Sequence, residues 1–347
     1  YVLDLAVTPT ADEFAGTMTV HVRVAAPQTT LTLDAEDLTV TAATLFVGDE
    51  SAAMRATAIG HDKGRLSLDF GRTIPIGVVA VRVEYKGHIR ESDLTADPKD
   101  TGLLRGTAYG NTFAYTMLEP LGARRVFPCF DEPRFKTSWQ LTVRVPETEQ
   151  VYANAPLVST RTETPGTRTF RFEKTAPIPS YLVAFAVGRF TVVDLGAAGV
   201  SRTALRLIVP EGGRAFLRPS LADLVPRLFT SAEVYLGTRY PFGKLDFVAV
   251  PGFRAAMENP GHITCTLLVL LELPDSSSGH GISRFLSGED LRKIENDEAE
   301  LTIAHEIAHQ WFGNLVTPAT WNDLWLNESF AVWFSHELLG DSQEYMP

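Results

Sequence analysis

Residues 301–331 read LTIAHEIAHQWFGNLVTPATWNDLWLNESFA, in which His305, Glu306 and His309 form a His-Glu-x-x-His string and Glu328 follows nineteen positions after the second histidine. Two histidines four apart on a helix lie on one face, one turn above the other, so both imidazoles can point at a single ion. Zinc favours such ligands, and a catalytic zinc takes three protein ligands while leaving a fourth position for water. Glu328 is the natural third ligand, which gives one zinc per chain. Glu306 points to nearly the same side of the helix as His305, where it can take a proton from water on the metal, and so reads as a general base.

Such a string arises by chance in roughly one chain in a hundred of this length, so its surroundings decide the reading. Asp297 and Glu300 are spaced as a capping box and Glu298 adds negative charge, which predicts a helix start just before the first histidine. Leu301, Ile303, Ala304, Ile307, Ala308 and Trp311 then run around much of that helix and predict that it is largely buried. Buried histidines and carboxylates need partners, and a shared metal satisfies them together.

HEIAHQWFGNLVT followed by WNDLWLNESFA resembles the aminopeptidase N family of zinc metallopeptidases, in the gluzincin group, whose third ligand is a glutamate on the next helix. Two further blocks carry the resemblance in the same order. YPFGKLDFVAVPGFRAAMENPGHIT, residues 240–264, is similar to the family segment with the Gly-x-Met-Glu-Asn exopeptidase signature, and EPLGARRVFPCFDEPRFKTSW, residues 119–139, is similar to a run in the family's amino-terminal domain. In the signature this chain has Ala255, Ala256, Met257, Glu258 and Asn259, so alanine replaces the usual first glycine. Loss of glycine at 255 costs backbone freedom if that position needs positive φ.

The resemblance implies a zinc-dependent aminopeptidase that releases N-terminal amino acids from peptides by attack of zinc-bound water, with Glu306 as general base. An exopeptidase must hold the substrate's free ammonium at a fixed distance from the scissile carbonyl, and carboxylates do so by charge-assisted hydrogen bonds. By resemblance Glu258 and Glu119 supply them, while the backbone around Ala255 and Ala256 lies along the substrate. The family also uses a tyrosine several dozen residues after the glutamate ligand to stabilise the oxyanion. Tyr345 is too close to Glu328 to match it. Ser329 and Ser335 stand where many relatives have glycine and a further carboxylate, so orientation of the ligands falls to other groups, with Asp323 and Glu337 as candidates.

Outward from the motif, the first 190 residues read as β. Alternation at Thr17 to Val24, Val78 to Tyr85, Leu141 to Val145 and Thr169 to Phe172, broken by Gly, Pro, Asp and Thr clusters, predicts an antiparallel domain over 1–190, sandwich-like or saddle-shaped. Over 191–347 the pattern is mixed. Strand-like runs at Thr203 to Val209 and Leu245 to Val250 flank an apolar segment of helical period, Leu217 to Leu236, in which Pro219 and Pro226 start or bend the helix. Two helices carrying the metal ligands complete what resembles a thermolysin-like catalytic domain. Cys265 to Leu273 is too short to span a bilayer, for which about twenty residues are needed, and reads as a buried strand before a flexible loop at Pro274 to Gly288. Family members are much longer and carry a helical carboxy-terminal region, so the chain reads as truncated on that side, with a missing C-terminal part of the same protein as a partner.

The formal net charge of −11 gives no attraction for nucleic acid. Peptides with a free N-terminal amine are the expected partners, and no membrane segment is present. Cys129 and Cys265 have no metal-ligand spacing and read as buried free thiols, which fits a cytoplasmic setting. His21, His61, His88, His262, His280 and His336 read as surface or capping residues. Two other readings stand beside the aminopeptidase. One is a related zinc hydrolase; the other is a zinc- and peptide-binding fragment, inactive without the C-terminal region.

Overall fold

The computed structural model describes residues 1–48, 53–92, 101–253, 255–272 and 288–340. They divide into two compact units, one of Tyr1–Arg105 with Thr112–Gly188, the other of Gly106–Asn111 with Arg189–Pro347.

The first unit is built on strands. Its longest, Gly77–Glu91, buries every second side chain from Val79 to Ile89, as the period of two demands. It pairs antiparallel with Glu13–Val24 on one side and Thr39–Val47 on the other. All four strands expected in this region are present, within Glu13–Val24, Gly77–Glu91, Gln140–Pro146 and Thr167–Lys174. Pairing in this unit is mainly antiparallel, as expected, with two parallel exceptions. Val2–Ala6 runs parallel to Gln140–Pro146, and Gly77–Glu91 runs parallel to Gly102–Ala108. A strand's own alternation says nothing about the direction of its neighbour.

The second unit holds a five-stranded sheet in the order Phe190–Ala198, Thr203–Pro210, Lys244–Val250, His262–Thr266, Ala256–Met257. The outer pairings are antiparallel and the two inner ones parallel. Helix α1, Leu221–Leu236, lies between the first parallel pair in sequence, as a crossover connection requires. Leu221, Leu224, Val225, Leu228, Phe229 and Ala232 form its buried stripe, at helical spacing. Pro219 precedes this helix and Pro226 sits in its second turn. Alternate strand residues, Leu205, Leu207, Leu245, Phe247, Ile263 and Cys265, join that stripe in one core. Each such side chain contributes roughly 1.5–3 kcal/mol by leaving water.

The opposite face of the sheet carries charge. Arg206, Asp246 and His262 stand in register across three strands. Arg206 holds both carboxylate oxygens of Asp246 at 2.7 Å, and Lys244 Nζ approaches the same group at 2.8 Å. Burial of Asp246 would raise its pKa, but Lys244 and Arg206 prevail and hold the carboxyl below its ordinary value.

Three helices follow. The segment Cys265 to Leu273 is not one strand: the strand ends at Thr266, and Leu267–Leu270 forms the single turn α2. Apolarity gives burial without choosing between strand and helix. The long helix α3 spans Gly288–Ala308, so it begins well before Asp297; Asp297, Glu298 and Glu300 are interior residues and no capping box starts the helix there. Ala299, Ile303, Ala304, Ile307 and Ala308 are buried, while Leu301 is exposed and departs from the expected apolar wrap. Helix α4, Trp325–Leu339, buries Asn327, Ala331, Phe334, Ser335 and Leu338 and ends at Gly340 in the left-handed conformation. The loop expected from Pro274 up to the start of α3, with His280 in it, lies outside the described residues, as does Tyr345.

Candidate metal centre

His305 occupies the last turn of α3 and His309 follows just past its end, with the His309 N–H still donating to the His305 carbonyl at 3.1 Å. Glu328 sits in the first turn of α4. Packing of α3 against α4 brings these three side chains to one point. Nε2 of His305 and Nε2 of His309 are 2.9 Å apart, and Oε2 of Glu328 lies 3.5 Å from the first and 3.6 Å from the second. The point equidistant from these atoms lies about 1.9 Å from each, close to the roughly 2.0–2.2 Å at which zinc sits from imidazole nitrogen and carboxylate oxygen. A small dication therefore fits with little adjustment.

Past the helix the chain tightens. Gln310 N donates to Ile307 O and Trp311 N to Ala308 O, each at 3.1 Å, a three-residue spacing in place of four. The turn brings Phe312 O to 3.0 Å from His309 Nδ1. Gly313 has φ of +118°, and a Cβ there would come within 3.2 Å of Asn327 Nδ2 and 3.4 Å of His309 Nδ1. Glycine is what lets the turn pass behind the His309 ring.

Charge around the cluster is strongly negative. Burial lifts the Glu306 carboxyl to about 8; His309 opposes the rise, while Glu258 and Glu328 add to it. Burial works to lower His309, yet Glu258, Glu328 and Glu306 outweigh it and raise the ring to about 10. Glu328 is held far below the ordinary carboxylate range, first by its hydrogen bonds with His305 and then His309. Three carboxylates drawing positive charge onto one histidine make an environment that suits a cation. Glu306 is 5% exposed, and its Oε2 has no hydrogen-bond partner among the described residues.

The signature segment lies in the same unit. Ala256–Met257 pairs antiparallel with His262–Thr266, and Met257, Glu258 and Asn259 are buried. Oε1 of Glu258 has no partner among the described residues, so a buried carboxylate oxygen awaits a donor. Ala255 accepts from Thr266 N at 2.9 Å, and its φ is not among the positive values, so alanine in place of glycine carries no backbone strain. Glu119 belongs to the first unit, at the cis bond to Pro120. His262 is not a surface residue: it is fully buried, and burial lowers its ring to about 3. His336 follows Ser335 near the end of α4, and Ser335 spends its hydroxyl on Val332 O.

Gln310 and Asn314 were absent from the residues singled out by sequence. Both are buried, and both donate to the main-chain oxygen of Glu258, at 2.9 and 2.7 Å. Their spacing, four and eight after Glu306, was the one signal in the sequence, although both lie past the end of α3.

The model of the peptidase M1 N-terminal domain matches residues 1–182, and that of the peptidase family M1 domain matches residues 221–346. Aminopeptidase M1-C of Oryza sativa subsp. japonica is 34% identical over 329 residues, which are 93% of this chain and 34% of the relative. Endoplasmic reticulum aminopeptidase 1 of Homo sapiens is 32% identical over 332 residues, 92% of this chain and 32% of the relative. Tricorn protease-interacting factor F2 of Thermoplasma volcanium is 34% identical over 237 residues, covering 68% of this chain and 27% of the relative. The chain thus spans about a third of the length of the curated relatives it matches. Among the described residues, no helix is long and apolar enough to cross a membrane.

Proposed function

Because the chain belongs to peptidase family M1, we propose that it forms the amino-terminal and metal-bearing parts of a zinc-dependent aminopeptidase that removes the first residue from peptides with a free amine. The observation that most supports the reading is the His305, His309, Glu328 triangle, dimensioned for zinc, with the buried carboxylates of Glu306 and Glu258 in the same unit. His305, His309 and Glu328 would hold the zinc, which when bound would supply a Lewis acid for the scissile carbonyl and lower the pKa of water toward neutrality.

The chain's own groups do the rest. Glu306 accepts a proton from the attacking water and delivers it to the departing amine, so the carboxylate is regenerated in each cycle. Its burial keeps other donors away, and the oxygen left without a partner is available to the water. Glu258 offers its oxygen to the substrate ammonium, by a hydrogen bond strengthened by opposite charge. Glu119 is proposed as a second acidic contact. Met257, Asn259, Ala255 and Ala256 shape the backbone beside the first substrate residue. Fixing the ammonium fixes how many bonds separate it from the attacked carbonyl, and that registers the cut after one residue.

Hydrolysis of amino-acid anilides beside their N-acetylated counterparts tests the proposal on the zinc-loaded, full-length enzyme. Cleavage confined to the free-amine set is expected. Equal cleavage of both sets contradicts amine recognition, and cleavage of neither contradicts the assigned activity.

A further inference from the structure

Glu258 follows a two-residue strand and lies on neither helix of the metal triangle, so the distance between its carboxylate and Glu306 depends on whatever joins the signature segment to the end of α3. That junction is a pair of side-chain amides. Gln310 Nε2 donates to Glu258 O at 2.9 Å and to Glu306 O at 3.0 Å. Asn314 Nδ2 donates to Glu258 O at 2.7 Å and to Gln310 Oε1 at 3.2 Å. All the main-chain partners are carbonyl oxygens, which only accept, so the NH2 ends of both amides must face them. The acceptor on Glu306 is vacant for a definite reason: Gln310 N has turned to Ile307 O, which leaves the Glu306 carbonyl to the Gln310 side chain. One amide therefore ties the main chain of the residue proposed as the base to the main chain of the residue proposed as the amine anchor. Both amides are fully buried, where an unmade hydrogen bond is costly and a made one rigid.

Resting on the reading of Glu258 as amine anchor, we infer that Gln310 and Asn314 are positioning residues for substrate recognition, because their amides clamp the Glu258 carbonyl to the end of the metal-bearing helix and so set the span from ammonium to scissile carbonyl. The inference is separable from a simple packing role. A packing residue that is lost weakens the enzyme whether or not Glu258 can bind an amine. A residue acting through Glu258 matters only while Glu258 is intact.

A double-mutant cycle reads this difference. KM and kcat for a free-amine anilide, with zinc content, are measured on the zinc-loaded, full-length enzyme and on Gln310→Met, Glu258→Gln and the double variant. Gln310→Met is expected to keep its zinc and raise KM on the order of tenfold, and to add about twofold or less in the Glu258→Gln background. A rise of equal size in both backgrounds, or no rise, overturns the inference. Should Glu258→Gln leave KM unchanged, the anchor reading itself fails and takes the inference with it; a large effect of Glu258→Gln with none from Gln310→Met defeats the positioning role alone. If Gln310→Met does not fold, Asn314→Ser, which removes one of the two donors to Glu258 O, enters the same cycle with the same expected and contrary results.

Discussion

His309 donates from Nδ1 to the main-chain oxygen of Phe312 at 3.0 Å. A carbonyl oxygen only accepts, so Nδ1 carries a hydrogen, and when the ring is neutral its lone pair falls on Nε2, the nitrogen that faces His305 and Glu328. The tautomer needed for metal ligation is thus written into the turn after the helix.

That turn depends on Gly313. An alanine at φ of +118° is strained, and its methyl would press on Asn327 and the His309 ring. Gly313→Ala is expected to lower stability by about 1–3 kcal/mol and to weaken zinc binding about tenfold or more by displacing a ligand's support. Urea denaturation and titration with a zinc-competing chelator measure the two effects. Unchanged values for both would show that the turn accommodates a side chain.

Removal of a proposed ligand is expected to have a larger effect. In Glu328→Ala and His309→Ala the cluster keeps only two of its three donor atoms, and each variant is expected to lose zinc on dialysis against a weak chelator while the parent retains about one ion per chain. Mass spectrometry of native protein gives the stoichiometry. Retention of zinc by either variant would mean that the residue is not a ligand.

Acid stability is expected to fall in two windows. His262 is fully buried with its ring held to about 3, far below the ordinary histidine value. The unfolded chain therefore binds a proton at this residue below about pH 6.5 while the folded chain does not, and stability is lost between about 6.5 and about 3. Between pH 7 and pH 5 that loss is about 2 kcal/mol, and His262→Leu is expected to remove it. Asp246 has a depressed folded pKa, so its contribution is present above about pH 4 and is given up as the pH falls through the lower folded value. Denaturation curves collected from pH 7 to pH 3 separate the two, and an unaltered slope in His262→Leu between pH 7 and pH 5 would contradict the assignment.

The metal triangle was legible because its signal is local. Spacing of four on one helix, and a glutamate on the next, needs no knowledge of distant contacts. The strands at Thr17 to Val24 and Val78 to Tyr85 were legible for the same reason, since alternation is a property of each strand alone. What depended on partners was not. Residues 288–297 continue α3 with only Leu291 and Ile294 apolar, so a reading tied to the capping-box spacing of Asp297 and Glu300 began the helix too late. His262 reads as a surface residue by composition, and only its register beside Asp246 reveals that it is buried. The clamp of Gln310 and Asn314 joins residues more than fifty positions apart, through a main-chain oxygen that has no sequence identity at all.

The most direct measurement compares the parent with Glu306→Gln in the zinc-loaded, full-length enzyme, with hydrolysis of a free-amine anilide referred to measured zinc content. Glutamine keeps the size and burial of the side chain but cannot accept the proton. Retained zinc with turnover reduced by about a thousandfold or more is predicted, as expected when a general base is removed. Retained zinc with turnover close to that of the parent would contradict the role given to Glu306 and the mechanism built on it.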